Sequence, residues 1–272
     1  MTRALVLGGG GPLGVGWQAG LLTSLISNGL TLEDADFVVG TSAGSIVGAQ
    51  LMIGRPLVDL VQPISETAPW QTSGDNESPD LDEMMAGLDP ADATPEAEWV
   101  AHFDFLGGAN WPKAFHCTAF SLDSGTAAVW DATSGIDLPR AIASSCTVPG
   151  LVSPVTINGE SWIDGGARDA LNADLAIGHD VVIAFTCMVL EPPEGSTPEL
   201  LAGLLPGIRQ RIADLRASGS EVCVVEPSQE FAELSGWGGY LMDVGRTVAA
   251  FDAGLRQGEA ELERTLRLWS GV

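Results

Sequence analysis

Ser42 stands at the centre of Gly40-Thr41-Ser42-Ala43-Gly44, with Phe37-Val38-Val39 before it and Ile46-Val47-Gly48-Ala49-Gln50-Leu51-Met52-Ile53 after it. The apolar triplet reads as a strand and the longer run as a helix, so the serine falls on the sharp turn between them. Such a turn strains the backbone and lifts the hydroxyl clear of the sheet. It needs small neighbours because the chain folds back on itself. This is the setting of a nucleophile for acyl transfer. A second strand-turn-helix unit lies upstream, where Ala4-Leu5-Val6-Leu7 runs into Gly8-Gly9-Gly10-Gly11-Pro12-Leu13-Gly14. The spacing Gly9-x-Gly11-x-x-Gly14 fits a dinucleotide fingerprint, but that use requires an acidic residue at the end of the second strand. Asp36 lies at the start of that strand and Ser42 follows its end. The alternative use of the loop is to aim free backbone N–H groups at one point, which beside a serine makes an oxyanion hole.

A serine alcohol also needs a proton acceptor. His179 precedes the strand Val181-Val182-Ile183-Ala184-Phe185 and belongs at its entering edge, away from the strand ends that carry sites in open α/β folds. His116 falls within a strand, where a ring with satisfied nitrogens is the ordinary case, and His102 lies in an irregular stretch. None of the three is expected to form a triad. Val155-Thr156-Ile157, Asn158-Gly159 and Glu160-Ser161-Trp162-Ile163 read as a β-hairpin closed by a two-residue turn, and its second strand delivers Asp164 into Gly165-Gly166. Locally this fits a plain Asp-Gly turn as well as a base. A carboxylate hydrogen-bonded directly to Ser42 can take its proton as attack proceeds, provided the oxyanion hole bears the developing charge. A Ser42–Asp164 dyad is therefore expected.

The glycine loop Gly8 to Gly14, the turn Gly40 to Gly44, the block Ala143-Ser144-Ser145-Cys146-Thr147-Val148-Pro149-Gly150 and Asp164-Gly165-Gly166, in that order, resemble the patatin-like phospholipases. The resemblance covers roughly residues 3 to 190. It implies a three-layer α/β/α fold with a mostly parallel central sheet, Ser42 as nucleophile, Asp164 as base, and the amides of Gly9, Gly10 and Gly11 as the oxyanion hole. It further implies hydrolysis of lipid carboxylic esters through an acyl-enzyme, with no metal or organic cofactor. An acyltransferase using the same dyad, and an impaired lipid- or nucleotide-binding protein, are the alternatives. Where the family's loop commonly carries Arg or Lys, this chain has Leu13. A neutral ester is accordingly expected as substrate.

Length and composition allow one α/β domain over 1–272, with 45% hydrophobic residues and no apolar run long enough to span a bilayer. No leader is expected at Met1-Thr2-Arg3. Cys117, Cys146, Cys187 and Cys223 lack metal-ligand spacing and read as reduced, mostly buried thiols of a cytoplasmic protein. A net charge of −24 repels nucleic acid and anionic lipid surfaces, and it also fits a salt-adapted source. From Pro56 to Pro112 there are twelve acidic residues and no Lys or Arg, which reads as an inserted cap. Its Trp70, Met84, Met85, Trp99, Phe103, Phe105 and Trp111 fit the lining of an acyl pocket and fit equally a tether to the core. Further on, a short helix is expected over 170–177, a helix over 199–217 broken or kinked at Pro206-Gly207, and an amphipathic helix over 240–269. That last helix is expected to dock on its own domain, with a dimer or weak peripheral membrane contact as the alternative.

Overall fold

The computed structural model describes residues 1–63 and 80–271. A central eight-stranded sheet flanked by helices forms around β1 (Arg3–Leu7), β2 (Phe37–Gly40) and β7 (Val181–Phe185). These strands are near-continuous apolar runs because both faces of a parallel sheet are covered. β1 pairs in parallel with β2 and β7, and β7 in parallel with the edge strand β8 (Glu221–Val225).

The arrangement that matters most for the site lies along β3 (Phe115–Ser121). One side of β3 is taken by β4 (Ala127–Trp130), which pairs with Cys117 through Phe120. β2 and β6 (Glu160–Asp164) must then share the other side. β2 lies parallel against Phe115–Cys117 and β6 antiparallel against Ala119–Ser121. The two strands thus point at each other end to end. The register sets Gly40 opposite Cys117 and Asp164 opposite Ala119, two residues along the same strand. β5 (Val155–Ile157) completes the expected hairpin, with Asn158 at φ 53° and Gly159 at φ 84°, as a two-residue turn requires.

α1 (Gly11–Ser27) follows the glycine loop, and α2 (Ala43–Met52) follows Ser42. After α7 (Gln229–Leu234) comes the last helix, α8 (Thr247–Ser270), which docks along α1 within the same chain. The contact is so close that a Cβ at Gly16 would fall 2.5 Å from the Thr247 carbonyl oxygen, and Cβ atoms at Gly20 and Gly254 would collide with the carbonyls of Phe251 and Trp17. A buried polar clasp fixes the register. Trp17 Nε1 donates to Gln257 Oε1 at 2.9 Å, and Gln257 Nε2 donates to the Glu226 carbonyl at 2.7 Å.

Three expectations change. α8 starts at Thr247 instead of Tyr240, and its buried face adds Ala250, Ala253, Gly254 and Gly258 to the expected Phe251 and Trp269, while Val248 is exposed. Residues 170–177 form only a short 3₁₀ turn, Ala173–Ala176, because the N–H groups of Leu171 and Asn172 are drawn to Asp169 Oδ1 and Asn172 adopts φ 55°. Over 199–217, α6 (Glu199–Ala217) shows no break, continuing through Pro206, whose missing hydrogen bond faces Ala202 on the exposed side.

The acidic stretch is partly described. Trp70 lies outside the described residues. Beyond it, α3 (Leu81–Ala86) and α4 (Glu96–Ala101) are held to the body of the protein. Trp99 and Phe103 are buried, with Trp99 Nε1 donating to the Ala143 carbonyl at 3.1 Å, and Trp111 Nε1 donates to the Phe115 carbonyl at 2.8 Å. Met84 and Met85 pack half-buried against the core, and Phe105 is exposed. In Trp99, Phe103 and Trp111 the tether is therefore what the side chains provide.

Candidate active site

Ser42 caps α2 with φ 52° and ψ −119°, a region that non-glycine residues enter only under constraint, at a cost of about 1–3 kcal/mol. The surroundings supply the constraint. Its N–H donates to Ser145 Oγ at 3.0 Å, and its carbonyl accepts from Ser45 Oγ at 2.6 Å and from Cys146 Sγ at 3.3 Å. Both Ser145 and Cys146 come from the end of α5 (Leu138–Ser145), whose sequence marked the family block but gave no hint of this task. Gly44 has no room for a side chain, since a Cβ there would collide with the Leu7 carbonyl. The preceding residue is fixed as well. Thr41 Oγ1 accepts from Thr118 Oγ1 at 2.9 Å and from Asn172 Nδ2 at 3.0 Å. Asp169, buried and paired with Arg211 at 3.0 Å, holds Asn172 through the N–H bond to its Oδ1.

Asp164 meets Ser42. The Ser42 side chain lies near enough to its carboxyl to favour the ionised form, while Oδ1 accepts from the Gly166 N–H at 2.7 Å and its own N–H donates to the Thr147 carbonyl at 2.9 Å. Burial pushes the Asp164 carboxyl up from 3.8 to about 6, against the opposing pull of the Ser42 and Gly166 hydrogen bonds. Cys146 stays a neutral thiol, because burial and then the charge of Asp164 push it well above its ordinary range.

The glycine loop lies against the serine, with a Cβ at Gly9 only 3.3 Å from Ser42 Cβ. Its amides are not equivalent. Gly8 N–H donates to the Phe185 carbonyl at 2.9 Å, Gly9 N–H to the Ala170 carbonyl at 2.7 Å, and Leu13 N–H to the Leu241 carbonyl at 3.2 Å. Pro12 has no N–H. Of the expected trio, the Gly9 amide is engaged in holding the loop, whereas the N–H groups of Gly10 and Gly11 have no hydrogen-bond partner among the described residues. Gly11 takes φ 58° and, with Gly10 as cap, opens the positive end of α1. Leu13 is fully buried in the core.

The histidines are occupied elsewhere. His116 and His179 both pack on Phe37, at 4.5 and 5.0 Å between ring centroids, and His102 Nδ1 lies 3.0 Å from the Glu98 carbonyl. Asp36 accepts the Arg3 N–H at 2.8 Å, at the edge of β1 and β2 opposite the glycine loop, where it cannot reach a ribose. Among the described residues no cluster of three His, Cys, Asp or Glu side chains is suited to a metal ion, and no helix is long and apolar enough to cross a membrane.

A strained serine on a strand-turn-helix, a buried carboxylate beside it and a glycine loop at a helix start thus come together at the ends of β1, β2 and β6. The family profile of the patatin-like phospholipases matches residues 5–177, and the chain belongs to that family of lipid acyl hydrolases. Among solved structures, VipD from Legionella pneumophila is 11% identical, with a TM-score of 0.44, covering 93% of this chain and 67% of that one. The type III effector protein ExoU is 16% identical, with a TM-score of 0.37, covering 95% of this chain and 53% of that one.

Proposed function

We propose that the chain cleaves carboxylic esters through an acyl-enzyme on Ser42, with Asp164 as the base. The observation that carries this reading is the placing of the buried Asp164 carboxyl beside a serine held in a strained turn, by the end-to-end meeting of β2 and β6. As Ser42 Oγ attacks the acyl carbonyl, its proton passes to Asp164, and the Gly10 and Gly11 amides receive the developing oxyanion. The carbonyl reforms, the alkoxide leaves with the proton from Asp164, and the acyl group remains on Ser42. Water then gives its proton to Asp164 and attacks that ester, releasing the acid and restoring the serine. A carboxyl that titrates near 6 is a stronger base than an ordinary Asp and is still ionised at pH 7. A neutral ester fits best, because Leu13 places no cation in the loop and Arg168 and Arg211 are already paired with Asp174 and Asp169.

The test is mass spectrometry of the intact protein after a fluorophosphonate ester, on wild type, Ser42→Ala and Asp164→Asn. One adduct on Ser42 that slows strongly without Asp164 supports the dyad. No adduct on folded wild type would sink it. Product analysis with p-nitrophenyl butyrate in water and in water with added alcohol then decides between hydrolysis and acyl transfer.

A further inference from the structure

Asn172 is fully buried, with its backbone at φ 55° and ψ 37°, the left-handed region that asparagine tolerates better than most side chains. Asp169 holds it there. Asp169 Oδ1 accepts the N–H groups of Leu171 at 2.9 Å and Asn172 at 2.7 Å, and Oδ2 lies 3.0 Å from Arg211 Nε. Arg168 donates to Asn172 Oδ1 at 2.5 Å. Charged groups thus fix the turn from Asp169 to Asn172 on both sides, and the amide at its end is left one orientation.

From this turn, hydrogen bonds reach all three parts of the site. Asn172 Nδ2 donates to Thr41 Oγ1 at 3.0 Å, beside the nucleophile, and approaches the Gly165 carbonyl at 3.4 Å, beside the base. It also closes the turn on the Asp169 carbonyl at 2.5 Å. The third contact is with the glycine loop, where the Ala170 carbonyl accepts the Gly9 N–H at 2.7 Å and a Cβ on Gly8 would fall 3.2 Å from Leu171 Cδ1. Thr41, Thr118, Asp169 and Asn172 are all buried, at a place where an apolar filling would cost less desolvation. A satisfied polar network of this kind specifies positions more than it adds stability.

We propose that Asn172 is a positioning residue of the reaction: through Thr41, and through the turn that carries Ala170, it sets Ser42 and the Gly10 and Gly11 amides at one separation. The inference rests on the Ser42–Asp164 reading. Ser42 Oγ must reach the acyl carbon while the oxygen of the same carbonyl reaches the two amides, so a slip between the end of β2 and the glycine loop lengthens one contact or the other. Without the Asn172 amide, Thr41 Oγ1 keeps only its bond from Thr118, and the turn loses the link between loop and serine. The loss falls on the chemical step and spares substrate binding, because a fully buried Asn172 touches no ester.

The experiment measures kcat and KM for p-nitrophenyl butyrate, and the rate of Ser42 labelling by a fluorophosphonate, on wild type, Asn172→Gly, Thr41→Val and the double variant, with active molecules counted by the labelling end point. Glycine suits the left-handed backbone at 172, and valine keeps the branched shape of Thr41. Each single change is expected to lower kcat and the labelling rate about tenfold to a hundredfold, with KM within about threefold of wild type. The double variant should lose no more than about threefold beyond Asn172→Gly, since both changes break the same link. A kcat per labelled molecule close to wild type in both single variants, with only the melting temperature lowered, overturns the proposal, and so do losses that multiply in the double variant. Should Asn172→Gly not fold, Thr41→Val decides alone: an unchanged kcat overturns the proposal, and a fall in kcat at constant KM upholds it. Failure of wild-type Ser42 to take the fluorophosphonate would instead overturn the dyad, so the two failures are told apart.

Discussion

Residues up to about Ile177 and residues beyond it hold one fold by different means. The first part fixes its key positions with hydrogen bonds that involve particular side chains: Ser145 and Cys146 with the Ser42 backbone, Thr118 and Asn172 with Thr41, and the Asp164 carboxylate with the Gly166 N–H. The second part is attached chiefly by close packing of α8 on α1, where the absence of side chains at Gly20 and Gly254 lets two helix backbones touch. Polar anchoring specifies geometry to a fraction of an ångström but contributes little net stability per bond. Intimate helix packing does the reverse, contributing stability over a large area with little demand on any one atom's chemistry. Rate and stability should therefore respond to different halves of the chain.

Ser42→Ala gives the largest expected effect on that contrast. Turnover should fall about a thousandfold or more, with the melting temperature nearly unchanged. Steady-state rates and a thermal melt on the same sample check it, and comparable residual turnover would place the nucleophile elsewhere. Gly20→Val tests the other half. Its new side chain would meet the Phe251 carbonyl, so α8 must shift, at a cost of about 2–4 kcal/mol by denaturant titration. The activity of the molecules that remain folded, counted by fluorophosphonate labelling, should stay within severalfold of wild type. Loss of turnover without loss of stability would show that the packing half also tunes the site.

Asp164→Asn crosses the comparison, because it should cost rate and add stability. The folded protein keeps a proton on Asp164 up to about pH 6, whereas an unfolded chain releases it near 3.8. Between those values the folded state binds more protons, so this group lowers wild-type stability as pH rises through the window and leaves the full penalty above it. Asparagine carries no such penalty. The variant should melt at about the wild-type temperature near pH 4 and be more stable by roughly 1–3 kcal/mol at pH 8, while turning over at least a hundredfold more slowly. A gap that does not widen with pH would mean that the Asp164 pKa is ordinary.

The same division explains what could be read from the residues alone. Ser42, the Asn158-Gly159 hairpin and Asp164 were legible because turn chemistry is local: a handful of small residues in order fixes a backbone path. The commitment of the Gly9 amide was not legible, since its partner is a carbonyl 161 residues away at Ala170. Ser145 and Cys146 sat inside a recognised block without a visible role, because only the end-to-end meeting of β2 and β6 along β3 brings α5 to the serine. The start of α8 was misplaced for a related reason, and the closeness of its contact was equally hidden: Phe251 and Trp269 lie on the buried face, but the partner helix comes near enough that Gly254 and Gly258 also touch it.

The smallest effect is expected from the histidines, and it decides how a pH profile is to be read. With Asp164 titrating near 6, kcat/KM should rise through a single limb about that pH and level off above 7, since only the ionised carboxylate can accept the Ser42 proton. An unperturbed histidine would give nearly the same limb. The triple variant His102→Gln, His116→Gln, His179→Gln separates the two origins. His116 and His179 stack on Phe37, and His102 meets a carbonyl of its own helix, so replacing them should change kcat/KM by less than about threefold at pH 7.5. The limb near pH 6 should survive in that variant. Its disappearance would assign the base to a histidine and dissolve the dyad, whereas its persistence would leave the buried carboxylate as the group whose ionisation turns the reaction on.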